Sequence, residues 1–103
     1  MNIIGITSCT CGIAHTYMAR EKLIETGKKL GWNVKIETQG SGGIEYPLTE
    51  EDVKNADCVI LATDVAVSGT ERFHGKPVVK VPVSVAIKSP EHLLKQIEQK
   101  LKK

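Results

Sequence analysis

Short apolar blocks alternate along this chain with polar, glycine-containing segments, and the period of the pattern changes from block to block. Ile3, Ile4 and Ile6 form a β-branched run that stops at Ser8, the signature of a buried strand. Tyr17, Met18, Leu23, Ile24 and Leu30 then recur near helical spacing and predict a helix over 17–30, stopped by Gly31. Val34 and Ile36 alternate with Asn33, Lys35 and Glu37 as a second strand. The stretch QGSGG, from Gln39 to Gly43, reads as a glycine-rich turn. Thr49, with Asp52 three residues on, resembles a capping box for a short helix ending near Asn55.

A third buried strand is CVILA, from Cys58 to Ala62. Val78, Val79, Val81 and Val83 predict a fourth, and Pro77 and Pro82 place it at an edge. Ser89 followed by Pro90 opens a last helix with an apolar stripe of Leu93, Leu94, Ile97 and Leu101. Its lysine-rich end suits the helix dipole and reads as a solvated terminus. This order predicts an α/β fold: a mostly parallel sheet with helices on both faces. Ligands of such sheets sit beyond the carboxyl ends of the strands. Attention therefore falls on the loops 8–16, 38–43 and 63–73, and on the segment after Val83.

Composition narrows the picture. A chain of 103 residues with 41% hydrophobic and 25% charged residues fits one globular domain over 1–103. The net charge of +2 is weak and dispersed, and only two of 14 basic residues are Arg, so no nucleic-acid partner is expected. No apolar run approaches the roughly 18 residues of a membrane helix, so no direct membrane insertion is expected. The opening MNIIGITS lacks the pattern of a secretory signal. Cys9, Cys11 and Cys58 are odd in number and unevenly spaced, which argues against a disulfide framework and points to the cytoplasm.

The loop after the first strand carries the chemistry. Ser8, Cys9, Thr10, Cys11, Gly12, Ile13, Ala14, His15 and Thr16 join a strand to a helix. Backbone N–H groups and the positive helix end converge there and favour an anion. A cysteine at its mouth is stabilised as the thiolate, the nucleophilic form. Cys9 is thus poised to attack phosphorus, and Gly12 lets the backbone approach closely. Cysteine phosphatases place a clamping arginine where this loop has His15, and imidazole holds phosphate less permanently than a bidentate guanidinium. Such a loop accepts a phosphoryl group and passes it on. Thr16 can offer a hydroxyl to the sulfur or to phosphate.

Cys9 to Thr16, followed by Tyr17, Met18 and Ala19, resembles the phosphocysteine loop of fructose-family enzyme IIB domains of the bacterial phosphoenolpyruvate-dependent sugar phosphotransferase system. That loop typically reads Cys-Pro-Thr-Gly-Ile-Ala-His-Thr. The likeness continues through Glu37-Thr38-Gln39-Gly40, Ile60-Leu61-Ala62, Arg72-Phe73 and Gly75-Lys76-Pro77. Thr10 replaces the usual Pro and Cys11 the usual Thr, which puts a second thiol beside the nucleophile; the register of Gly12 to Thr16 favours Cys9.

The resemblance implies that Cys9 takes a phosphoryl group from a phosphohistidine of enzyme IIA. Cys9 would then give it to a sugar, fructose or a related hexose, held by membrane-embedded enzyme IIC. No cofactor is expected, and the isolated domain is expected to be monomeric, reaching the inner face of the cell membrane through enzyme IIC. The expected fold is a three-layer α/β/α sandwich, Rossmann-like, with a mainly parallel four-stranded sheet in the order 2-1-3-4 and the phosphate loop after strand one.

Supporting positions follow from the same geometry. Thr38, Gln39 and Gly40 flank the loop if strand two lies beside strand one. Asp64 can hydrogen-bond the loop. Arg72 reads either as a contact to phosphate or a partner, or as a surface salt bridge. Cys11 reads as a replacement for threonine, Cys58 as core, and His74 and His92 as solvated. Two rival functions remain open: a low-molecular-weight cysteine phosphatase, and a metal or redox module using Cys9, Cys11 and His15. His15 in place of arginine disfavours the first. The second lacks an evident fourth zinc ligand.

Overall fold

The computed structural model describes residues 1–9, 13–40 and 43–101. Ten elements follow in order: β1 (Asn2–Ser8), α1 (Ile13–Lys29), β2 (Asn33–Gly40), β3 (Gly43–Glu45), α2 (Glu50–Asn55), β4 (Cys58–Thr63), a 3-10 turn (Thr70–Phe73), β5 (Val78–Val81), α3 (Val83–Lys88) and α4 (Pro90–Leu101). They build one five-stranded sheet in the order β3-β2-β1-β4-β5. β1, β2, β4 and β5 run parallel, in the predicted order 2-1-3-4, and β5 is at the edge. The short β3 was not predicted. It turns back from β2 antiparallel, pairing Thr38 with Glu45 and Gly40 with Gly43. β2 and β3 therefore pair as a hairpin, and Gln39, Gly40 and Gly43 are strand residues rather than turn residues.

Helices cover both faces, as an α/β order requires. On one side Ile3, Val34, Ile36, Cys58, Ile60 and Ala62 pack against Ala19 and Leu23 of α1, Val83 and Ala86 of α3, and Leu93, Leu94 and Ile97 of α4. On the other, Ile4, Ile6 and Val59 meet Leu48, Ala56 and Phe73. β1 is buried on both sides, which explains its unbroken apolar run. Gly5 at its centre passes so close to β4 that an added Cβ would stand 2.5 Å from the Ile60 carbonyl oxygen.

Helix ends follow local chemistry. α1 begins at Ile13, earlier than the expected Tyr17. The first turn carries exposed Ala14 and His15, which no apolar spacing could reveal. It ends in a Schellman motif: Trp32 N–H reaches the Gly27 carbonyl at 2.8 Å, Gly31 N–H reaches Lys28 at 3.1 Å, and Gly31 takes φ 76°. α2 is closed by the capping box of Thr49 and Asp52.

A further prediction is corrected: Val83 is not in the fourth strand. β5 stops at Val81, Pro82 caps the next helix, and Val83 starts α3. Alternating valines gave a strand pattern, but Pro82 has no N–H to continue the ladder.

Candidate functional site

Parallel pairing brings the carboxyl ends of β1, β2 and β4 to one edge. Ser8 stands opposite Thr63, and Thr7 opposite Thr38. Cys9 is the residue after β1, and Asp64 is the residue after β4. The Asp64 N–H donates to the Ser8 carbonyl at 3.0 Å, which extends the ladder one step beyond both strands. That step places the half-buried Cys9 thiol beside the exposed Asp64 carboxylate, and Sγ donates to Oδ2 at 3.2 Å. The other carboxylate oxygen, Oδ1, accepts the Val83 N–H at 3.2 Å. Asp64 is thus held between the sulfur and the first residue of α3.

The start of α1 is tied to the same edge. Thr7 Oγ1 donates to the Thr16 carbonyl at 3.0 Å, and both residues are buried. Ala14 and His15 are exposed on the first turn. Thr10, Cys11 and Gly12, and the side chain of Ile13, lie outside the described residues.

Beside this edge sits a buried polar hub. Glu37 is 1% exposed on β2. Its Oε2 accepts Arg72 Nη2 at 2.7 Å and Gln39 Nε2 at 2.9 Å, and its Oε1 accepts the Leu48 N–H at 3.0 Å. Burial opposes its charge, but these hydrogen bonds and the guanidinium outweigh burial and hold its carboxyl below the usual carboxylate range. Gln39 also bonds both backbone groups of Ser68. The segment between Asp64 and Phe73 is therefore moored to β2. Of the two readings of Arg72, the salt bridge is the contact present, and its partner is buried rather than at the surface.

Thr38 is buried, its hydroxyl donating weakly to the Glu45 carbonyl at 3.4 Å, and Gly40 is exposed at the end of β2. The edge hairpin is also fastened to α1. Tyr17 donates its hydroxyl to Glu45 Oε1, and the Arg20 guanidinium lies 3.7 Å from the centre of the Tyr46 ring. The Glu45 hydrogen bond, then burial, push the Tyr17 phenol above its usual value. Cys58 is core, 1% exposed, and His74 and His92 are exposed.

Sequence reasoning did not single out Glu37 as a hub, nor Ser68, nor the Val83 N–H. The signal for Glu37 was available: a strand covered on both faces must pair any charge it carries. Backbone partners such as Ser68 and Val83 leave no trace in side-chain identity. Among the described residues no group of three His, Cys, Asp or Glu side chains could hold a metal ion. A polar cleft of about 340 Å³, lined by Asn2, Asn33, Lys35 and Asp52, opens at the opposite end of the strands from Cys9.

Comparison with known proteins concerns the chain as a whole. Residues 4–96 match the family model described as the lactose/cellobiose-specific IIB subunit of the PTS system. The chain is 50% identical over 99 residues to the PTS system fructose-like EIIB component 2 of Escherichia coli K12, covering 96% of this chain and 93% of that protein. It is 44% identical to the fructose-specific EIIABC component of Bacillus subtilis, over 91% of this chain and 15% of that longer protein. The solution structure of the enzyme IIB subunit of the PTS system from Escherichia coli K12 superposes with a TM-score of 0.91 at 36% identity, covering 97% of this chain and 93% of that one. An arginine phosphatase, 19% identical with a TM-score of 0.53 over 100% of this chain and 97% of its own, shares the fold alone.

Proposed function

This chain belongs to the IIB family of the sugar phosphotransferase system, on its fructose-like side, and from that premise we propose that Cys9 is its phosphoryl carrier. Phosphotransfer in sugar uptake is the activity of the family. In the finer reading, Cys9 Sγ attacks the phosphorus of a phosphohistidine on enzyme IIA and holds the group as phosphocysteine. A hydroxyl of a sugar bound by enzyme IIC, fructose or a related hexose, then takes it. The domain works as a single copy in the cytoplasm and reaches the inner face of the cell membrane through enzyme IIC.

The observation that carries this reading is the position of Cys9. It directly follows the central strand, on the way into a 17-residue helix, at the surface edge of the sheet. The positive end of α1 favours phosphate there, and a half-buried Cys9 can meet two partners in turn. A carrier needs no deep substrate pocket of its own. The relatives that carry this domain fused in EIIABC chains support partners of the IIA and IIC kind. Among the described residues no helix is long and apolar enough to cross a membrane. His15, standing where phosphatases have arginine, supports passing the group on over hydrolysing it.

The test is intact mass and site mapping after incubation with phosphoenolpyruvate and the upstream phosphotransferase proteins, at neutral pH to preserve the thiophosphate. One added phosphoryl group, lost in Cys9→Ser and kept in Cys11→Ser, is expected. A group retained in Cys9→Ser, or none added while a known enzyme IIB is labelled in parallel, would overturn the assignment.

A further inference from the structure

The neighbour of the Cys9 sulfur is an unexpected group for an acceptor of phosphate. A loop that welcomes an anion is bordered by a carboxylate, with Asp64 Oδ2 at 3.2 Å from Sγ. The carboxylate is oriented and not merely nearby. Its Oδ1 is held by the Val83 N–H at 3.2 Å, and its own N–H is fixed on the Ser8 carbonyl at 3.0 Å. While sulfur carries a proton, the contact is a hydrogen bond. Once the proton is gone or a phosphoryl group replaces it, the same oxygen faces a negative charge. At this separation two like charges repel strongly wherever the surroundings are less polarisable than water.

We propose that Asp64 opposes negative charge on Cys9 Sγ and thereby sets how readily a phosphoryl group held there is passed on. The proposal rests on Cys9 as the carrier. In the first transfer the S–P bond forms as the N–P bond of the phosphohistidine breaks. The thiol proton leaves to solvent, and the imidazole nitrogen keeps the electron pair and takes up a proton. In the second, the O–P bond to the sugar forms and the S–P bond breaks. The electron pair returns to Sγ, which is reprotonated beside Asp64, and the sugar hydroxyl proton leaves to solvent. Repulsion from Asp64 raises the energy of the phosphocysteine between these steps and is relieved when the group departs. Asp64 thus works against storage and in favour of delivery, while keeping the resting sulfur as a thiol.

Other titratable groups at this end are arranged differently. His15 is exposed at the start of α1. Glu37 is paired with Arg72, and Glu45 accepts the Tyr17 hydroxyl. Neither His15 nor the Glu37 pair brings a net negative charge to the sulfur.

Asp64→Asn removes the charge and keeps an oxygen for the Val83 N–H; Asp64→Ser is a second neutral variant. Both are made in a Cys11→Ser background, with circular dichroism to confirm the fold. Two quantities are read. The first is the rate of Cys9 alkylation by iodoacetamide against pH, with the profile expected to move toward acid and the neutral-pH rate to rise about tenfold. The second is the ratio of phosphorylated to free protein at equilibrium with phosphorylated enzyme IIA, expected to rise about tenfold, with slower loss of the group to sugar. Unchanged alkylation in whichever variant folds would overturn the role of Asp64. If wild-type Cys9 takes no phosphoryl group, the carrier reading falls, while the alkylation arm still decides whether Asp64 opposes charge on the sulfur.

Discussion

Gln39 meets both backbone groups of Ser68: Gln39 Nε2 donates to the Ser68 carbonyl, and Gln39 Oε1 accepts the Ser68 N–H, each at 2.9 Å. A side-chain amide here imitates a strand partner for a loop backbone. It moors the segment that begins at Asp64, and so bears on the sulfur across the edge of the sheet. Gln39→Leu is expected to leave the two Ser68 backbone groups and one Glu37 hydrogen bond unmade, lowering stability by about 2–3 kcal/mol. Urea denaturation measures the loss, and the proposed phosphorylation of Cys9 should slow with it. An unchanged midpoint would show that the mooring is idle.

The Glu37 hub predicts an acid-sensitive fold. Its hydrogen bonds hold the native carboxyl below the ordinary carboxylate value. The native state therefore favours the ionised form, and this contribution is complete above the unfolded value. It fades as pH falls through the native value. The urea midpoint should drop between about pH 5 and pH 3. Glu37→Gln should remove part of that dependence and, by leaving Arg72 without its anion, cost about 3 kcal/mol near neutrality. A midpoint equal to wild type at pH 7 would contradict the pairing.

Two glycines test different constraints. Gly5→Ala would drive a methyl group to 2.5 Å from the Ile60 carbonyl, between two central strands that cannot part. A loss of about 2–3 kcal/mol is expected. Around Gly31 there is open space, and only its φ of 76° resists a side chain, so Gly31→Ala should cost about 1 kcal/mol. Thermal unfolding of the two variants should rank them in that order; the reverse order would refute the packing of β1 on β4.

Much of this architecture was written in local signals. β-branched runs marked β1, β2 and β4, the prolines beside Val78 and Val81 marked the edge, and Thr49 with Asp52 and Pro90 marked two helix starts. These signals are short-range, so sequence carries them. Val83 misled because its alternation with Val81 is a strand pattern, whereas the backbone of Pro82 decides the matter. β3 was hidden because Gly43, Ile44 and Glu45 form a strand only by lying against β2. Glu37 read as an outward residue of an alternating strand because the second covering layer, with Phe73 and Leu48, comes from distant sequence. The phosphate loop and its nucleophile were proposed from residue types alone. The alignment of Asp64 with Cys9 needed the register of β1 on β4.

That register also sets when the site can exist. Cys9 meets Asp64 across 55 positions of chain, and Asp64 is itself fixed by Val83. Such non-local contacts close only after the intervening loops have been ordered. During synthesis Cys9 emerges before Asp64 and Val83, and its setting is absent until β4 has slotted beside β1 and α3 has begun. A nascent or truncated chain thus displays a thiol without its carboxylate neighbour. Assembly of the site follows the pairing of the strands, and the finished contact marks a chain in which β1, β4 and the start of α3 have come together.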